Sequence, residues 1–351
     1  MSVTLLDFLN NLIRNPSLFI TTILISAVMF INGSSDVPNA IATCVSTRSL
    51  TPKKALIIAS IFNSLGILIM TFISSKVAET VFNIVNFGDS PTNNLITLCS
   101  GLIGIVIWCL AAWALGIPTS QSHALIAGIS GAAIALNGNI SGINFEEWKK
   151  VLYGLIIVNL LAFFLGFIIT KSIEKICKNI DRRKTNKFFK NAQIFGAVTT
   201  CFMNGAQDGQ KYMAILLLGA MLSSGKTQEL SGFSIPMWLI FYCSIIMALG
   251  TIIGGMKILK TIGTKVTKVE KYQGTSADLA SSICLIGCSI LGIPVSSTHT
   301  KNSAVMGVGL SKRVSNVNWN TAKNMVITWI FTFPCCGLLG FIFTKFLINI
   351  F

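Results

Sequence analysis

Met29-Phe30-Ile31-Asn32-Gly33-Ser34-Ser35-Asp36-Val37-Pro38-Asn39-Ala40-Ile41-Ala42 places a carboxylate, a proline and two asparagines in the middle of an apolar run. Apolar residues flank the stretch on both sides, so the run is long enough to cross a bilayer, which takes about 20 mostly apolar residues. An Asp at the centre of a spanning helix costs about 2.5–3.5 kcal/mol on insertion scales, and such residues are functional by default. Gly33 loosens the helix, while Pro38 removes a donor and clashes with a carbonyl one turn back. The stretch therefore reads as a broken helix. Backbone groups freed by a break are tolerated at membrane depth only where protein or a wet cavity satisfies them.

Working outward, similar apolar runs recur as far as Ile350. Ten can be drawn, over 18–47, 55–75, 95–115, 117–136, 151–171, 191–222, 235–256, 274–292, 293–310 and 324–348. The composition agrees: 52% of the 351 residues are hydrophobic, 11% are charged and the mean hydropathy is +0.73. A soluble chain carries roughly a quarter charged residues. Met1 to Phe8 include Asp7 and lack a basic leader, so the first helix is expected to be retained.

Most of the 27 basic residues fall in four connections, around 48–54, 171–190, 257–273 and 311–323. The intervening connections, 76–94, 137–150 and 223–234, hold only Lys76, Lys149, Lys150 and Lys226, with acids close by. The positive-inside bias makes the four basic loops cytoplasmic and, with ten crossings, leaves both termini outside. It also accounts for the net charge of +15 without a nucleic-acid partner. Most of the ten cysteines sit in apolar runs and none forms a C-x-x-C pair, so all are expected to pack as small hydrophobes, with no metal bound.

The opening stretch has a second copy. Asn32-Gly33-Ser34-Ser35-Asp36 recurs as Asn204-Gly205-Ala206-Gln207-Asp208, followed by Gln210 and Lys211. Gly116-Ile117-Pro118-Thr119-Ser120-Gln121-Ser122-His123 recurs as Gly292-Ile293-Pro294-Val295-Ser296-Ser297-Thr298-His299. The chain thus divides into a first repeat, 1–171, a basic cytoplasmic linker, 172–190, and a second repeat, 191–351. Five crossings per repeat is an odd number, which forces the second copy to enter from the opposite face. The expected fold is an all-α polytopic membrane protein of two inverted-topology repeats with broken helices at the midplane. Such repeats are typical of secondary transporters, whose site lies at the repeat interface.

The two motif types suggest complementary chemistry. Asp36 and Asp208, at matching positions, could together hold Na⁺ or a proton. Alternatively, each caps a helix fragment or pairs with Lys211. The Gly-Ile-Pro motif opens a helix, and helix N-termini present free N–H groups and a positive dipole end to anions. Ser, Thr and Gln beside it add neutral donors, although Ser and Thr also cap helices everywhere. Two such N-termini would clasp a tetrahedral oxyanion from both sides. His123 and His299 match in position and suit a repeated structural bond as readily as proton transfer.

At these residues the sequence resembles the PiT family of inorganic phosphate transporters, whose motifs are G-x-N-D-x-x-N-A, G-x-N-D-x-Q-K and, after each, P-V-S-T-T-H. Gly274-Thr275-Ser276-Ala277-Asp278-Leu279 and Val317-Asn318-Trp319-Asn320-Thr321-Ala322-Lys323 resemble its bacterial low-affinity branch. The resemblance runs from about Ser26 to Gly340. It implies that Asp36, Asn39 and Asp208 hold the coupling cation and shape the phosphate site. By the same match, Gln210 and Lys211 are its Q-K pair, and Ser120, Ser122, Ser296, Ser297 and Thr298 its anion-binding hydroxyls. Gln121 stands where a Thr is usual, and Ser35 and Gln207 replace the motif Asn. Many members carry Glu at the places of Asn63 and Asp278, so a cation site including these positions has one fewer formal charge here.

The expectation is a cation-coupled phosphate importer working by alternating access, with Na⁺ or H⁺ as coupling ion and no cofactor or catalytic residue. Its partners would be the lipid bilayer and inorganic phosphate, free or as a metal–phosphate complex, and a homodimer is compatible with the pattern. The rivals are a sulfate or other oxyanion permease, a passive channel, and an intramembrane aspartyl protease. The protease reading leaves the Pro-Ser-Thr-His repeats unexplained.

Overall fold

A computed structural model describes residues 3–88, 90–115, 119–224, 234–265, 269–317 and 319–350. Gly116-Ile117-Pro118 of the first hairpin motif, Lys226, Lys268 and Asn318 lie outside the described residues. Among those described there is no strand, only an isolated bridge between Val85 and Ile143.

The first half holds α1 (Leu5–Arg14), α2 (Pro16–Ser46), α3 (Pro52–Ile73), the short α4 (Lys76–Phe82), α5 (Pro91–Leu115) and α6 (Gln121–Asn137). It ends with α7 (Phe145–Tyr153) and α8 (Asn159–Ile176), joined by a π-helical turn at Gly154–Val158. The second half holds α9 (Arg182–Ser223), α10 (Met237–Lys265), α11 (Lys271–Leu291), α12 (Ser297–Lys312) and α13 (Trp319–Ile348). Local chemistry sets several ends. Asn15 accepts from the Ser17 and Leu18 N–H groups ahead of Pro16, and Asp181 accepts from Arg183 N–H ahead of α9. Gly292 ends α11 at φ +72°, a left-handed conformation that side chains resist.

Seven stretches are long and apolar enough to cross a bilayer: Pro16–Ser46, Pro52–Ile73, Pro91–Ala112, Phe145–Ile176, Met237–Met256, Lys271–Leu291 and Ala322–Ile348. Their outward faces carry large apolar side chains with nothing covering them, such as Ile57 and Ile61 on α3, Phe164 and Ile168 on α8, and Ile245 and Ile252 on α10. A surface of this kind belongs in lipid. The chain is a multi-pass membrane protein.

The expected crossings at 117–136 and 293–310 are not among these seven. α6 has 17 residues and α12 has 16; at 1.5 Å per residue each is about 25 Å long, short of the roughly 30 Å hydrocarbon core. Each pairs with the helix before it, α5 with α6 and α11 with α12, as a hairpin whose second arm is almost wholly buried. α9 is long enough, but its middle carries Asp208 and Lys211. The three segments that fall outside the apolar seven are those that build the interior.

The expected breaks are corrected. α2 runs unbroken through Pro38, and α9 through Asn204–Lys211. The motif glycines serve close packing instead of loosening the helix. A Cβ on Gly33 would strike the Met247 carbonyl of α10, and one on Gly205 would strike the Asn63 carbonyl of α3. α2 continues past Pro38 although the proline forfeits one backbone bond. The observed discontinuity lies at the tip of the second hairpin, between Gly292 and Ser296.

Packing follows the duplication. α2 lies on α10, and α9 lies on α3; α2 and α9 meet each other between them. The hairpin α5–α6 packs on α13, the last helix of the second half, and α11–α12 packs on α8, the last helix of the first. Each half thus closes around the other's hairpin.

Candidate functional site

Asp208, in the interior of α9, gathers both hairpin tips. Ser122 Oγ of α6 donates to its Oδ1 at 3.1 Å, and Ser297 Oγ of α12 donates to its Oδ2 at 3.0 Å. Lys211, one turn along α9, donates to the same carboxylate at 2.7 Å, to Ser122 Oγ at 2.8 Å and to the Val295 carbonyl at 2.5 Å. Both ionised side chains are fully buried. A buried pair holds only when its remaining donors and lone pairs are satisfied, and here one serine from each hairpin and a tip carbonyl do so.

Asp36 is buried on α2 within electrostatic reach of Asp208 and Lys211. Its hydrogen bonds come from Asn32 Nδ2 at 3.0 Å and Ser35 Oγ at 3.4 Å, and it makes no ion pair among the described residues. Gln121 Nε2 reaches from α6 to Ser35 Oγ at 2.8 Å, while Thr298 of α12 stands beside Asp36. The tip of each hairpin therefore touches α9 through one residue and the Asp36 region through the next. Asn32 Oδ1, Gln121 Oε1 and Thr298 Oγ1 are buried there with no hydrogen-bond partner.

Ser120 and Ser296 do what the plainer expectation held: each caps its helix, accepting the N–H of His123 or His299 at 3.3 Å. The two imidazoles meet edge to face with centroids 4.8 Å apart, His123 against Phe333 and His299 stacked on Trp329 of α13. The cap is thus repeated, the four ring nitrogens have no hydrogen-bond partner among the described residues, and the rings form one contact across the two hairpins.

Other expected site residues lie elsewhere. Asn39 is half-buried one turn beyond Asp36, outside the Asp208 network. Gln210 donates to the Ser74 carbonyl at 2.7 Å and accepts from Ala78 N–H at 3.3 Å, tying α9 to the α3–α4 turn. Asn63 accepts from Asn204 Nδ2 at 3.2 Å, joining α3 to α9. Asp278 on α11 forms an ion pair with Lys301 of α12 and accepts from Thr43 Oγ1 of α2 at 3.2 Å. Sequence reasoning named Asn32 and Gln207 within the repeated motif without giving either a role, and passed over Thr43 and Lys301. Gln207 binds Ser289 Oγ at 3.0 Å and the Val295 N–H at 3.3 Å, holding the second tip. Lys301 carried a usable signal, a cation inside an apolar run.

This arrangement can clasp a polar solute between two helix N-termini and two carboxylates, one of them without an ion pair among the described residues. A family profile described as "Phosphate transporter family" matches residues 32–340. A probable low-affinity inorganic phosphate transporter of Bacillus subtilis is 40% identical over 327 residues, covering 92% of this chain and 96% of its own. One described in the same words from Rhizobium meliloti is 34% identical, covering 89% and 90%. Among solved structures, "The sodium-dependent phosphate transporter" superposes with a TM-score of 0.85 at 23% identity, over 96% of this chain and all of that one. Family, relatives and fold are those of a transporter, not an enzyme, and the chain belongs to the phosphate transporter family.

Proposed function

We propose that this transporter carries inorganic phosphate inward together with Na⁺ or H⁺, by alternating access at the meeting point of the two hairpins. One observation supports this above others: a serine from each hairpin tip and Lys211 converge on Asp208, beside a second carboxylate, Asp36, that has no cation of its own. The helix N-termini supply positive dipole ends and donors to an oxyanion. A coupling ion at Asp36 offsets the anion's charge and lowers the cost of carrying it through a low-dielectric interior. The buried unpartnered atoms of Asn32, Gln121 and Thr298 fit a ligand that brings its own donors. Protonated phosphate can donate to a carboxylate; sulfate at neutral pH has no proton to donate.

The topology follows from the short second arms. With α5–α6 and α11–α12 as re-entrant hairpins, each half crosses the bilayer three times, still an odd number, so the halves are inverted. The basic connections, including 172–190, then lie in the cytoplasm and both termini outside. In this reading one hairpin enters from each side, which supports a site between them.

Radiolabelled phosphate uptake into proteoliposomes, with Na⁺ and pH gradients imposed separately, tests the function. Accumulation above the external concentration under one gradient is expected, with sulfate a poor competitor. Equilibration without accumulation under either gradient would make the protein a passive channel.

A further inference from the structure

Lys301 is a buried ammonium that the phosphate site does not use. It lies on α12 one turn beyond Ser297, is 3% exposed, and pairs with Asp278 of α11, which is 0% exposed. Thr43 Oγ1 of α2 donates to the same Oδ1 at 3.2 Å, and Asp278 Oδ2 is buried without a partner. Gly196 of α9 packs directly on the Asp278 side chain, where an added Cβ would sit 2.8 Å from the Asp278 Cβ. The carboxylate is therefore enclosed by α2, α9, α11 and α12, the helices that also carry Asp36, Asp208 and the second hairpin tip.

The hairpin fold does not require this pair. By the spacing of the repeated tips, the counterparts of Asp278 and Lys301 in the first hairpin are Leu102 and Leu125, both fully buried. Two buried leucines of one hydrophobic cluster stand where a carboxylate and an ammonium hold α11 to α12. Buried ion pairs are often replaceable by apolar residues of similar volume with no loss of stability, so keeping a charged pair in one copy calls for a role beyond packing. A carboxylate with a neighbouring hydroxyl is an oxygen donor set for a hard cation. Lys contributes a compact point charge of +1 at the end of a flexible stem.

The geometry points to Lys301 as a tethered counter-cation: it occupies, with its ammonium, a monovalent-cation site built by Asp278 and Thr43, and so sets how many ions the transporter must take from solution. This rests on the cation-coupled reading above. The chain carries one cation permanently, and Asp36 serves the exchangeable one. Removing the ammonium while keeping the carboxylate opens the site to Na⁺.

The test uses purified full-length Lys301→Met in detergent, without phosphate, melted in choline chloride with increasing NaCl at constant ionic strength. Anything that binds only the folded state raises the melting temperature as its concentration passes its Kd. Lys301→Met is expected to gain a Na⁺-dependent rise of a few degrees beyond that of the parent. The double variant Asp278→Leu/Lys301→Leu, which copies the first hairpin, should follow the parent. In proteoliposomes, uptake by Lys301→Met should depend more steeply on Na⁺. A Lys301→Met protein that melts as the parent does at every Na⁺ concentration overturns the inference, as does one stabilised by acid alone, which would mean that Asp278 takes a proton. If Lys301→Met folds only when extracted in Na⁺ or Li⁺, the inference stands. If it folds in no salt while the double variant does, the inference fails. Melting reads the cation site without transport, so a parent that moves no phosphate would sink the proposed function and not this result.

Discussion

Asp208 receives a lysine and a serine from each hairpin, whereas Asp36 receives an amide, a serine and no cation. Asn at position 36 therefore removes charge and leaves the Asn32 donor an oxygen to meet. Asp36→Asn is expected to reach the membrane and melt close to the parent, while gradient-driven uptake collapses. Near-normal concentrative uptake would end its coupling role. Asp208→Asn differs because it strands Lys211 in the interior, a loss of about 3–5 kcal/mol, so its failure to transport would not by itself identify a functional charge. The serines divide in the same way. Ser122→Ala and Ser297→Ala each remove a donor from a charged network, worth about 1.5–3 kcal/mol, and should weaken phosphate binding roughly tenfold to a hundredfold. Ser120→Ala and Ser296→Ala remove caps, at about 1 kcal/mol of stability each, and should change the melting temperature more than the affinity. Equal effects on affinity from both pairs would erase the distinction. The matched aspartates and tip serines were legible because repetition made them visible. Lys301 was not, because its counterpart is Leu125 and a search for matching residues passes over it. Gln210 lies two positions from Asp208, about 200° around the helix, so it faces away from the tips while Lys211, three positions on, faces them.

At the scale of elements, apolar periodicity located the helices, but it could not separate the two uses of a motif glycine. Gly33 and Gly205 look like helix breakers in sequence; in the fold each admits a carbonyl from a neighbouring helix, Met247 in one case and Asn63 in the other. Those partners are more than a hundred residues away in the chain, so only the packed structure reveals them. Gly205→Ala should force α9 away from α3 and cost about 1–3 kcal/mol by overpacking, lowering the melting temperature in detergent. Gly88→Ala is the control, since nothing lies within 4 Å of a Cβ added there. A Gly205→Ala protein as stable as that control would show that α3 and α9 do not pack this closely. Whether α6 and α12 cross the bilayer is a question of the same kind. α6 and α12 are shorter than the spanning helices and largely buried, and α12 also carries Lys301 and Lys312.

At the scale of the whole molecule, the exchange of α8 and α13 between hairpins was invisible in sequence, because repetition shows that two halves match and not which helices of one touch the other. An orientation, by contrast, is proposed from charge alone, and re-entrant hairpins leave that proposal unchanged because each returns to the side it came from. Cysteine labelling separates these points in a protein stripped of its ten native cysteines. Thr185→Cys, half-buried in the basic first turn of α9, should react with an impermeant maleimide only once the cytoplasmic face is opened. Ser141→Cys, on the exposed connection after α6, should react in intact cells. Thr119 decides between a crossing and a hairpin. If α5 and α6 each crossed the bilayer, position 119 would lie in a cytoplasmic loop and label as fast as position 185. In the hairpin it accepts from Trp108 Nε1 at 3.0 Å and meets Thr332 of α13 at 3.1 Å. Thr119→Cys is therefore expected to resist the reagent from both sides while positions 141 and 185 react. Rapid labelling of position 119 from the cytoplasm would restore the ten-crossing count and remove the first hairpin from the site.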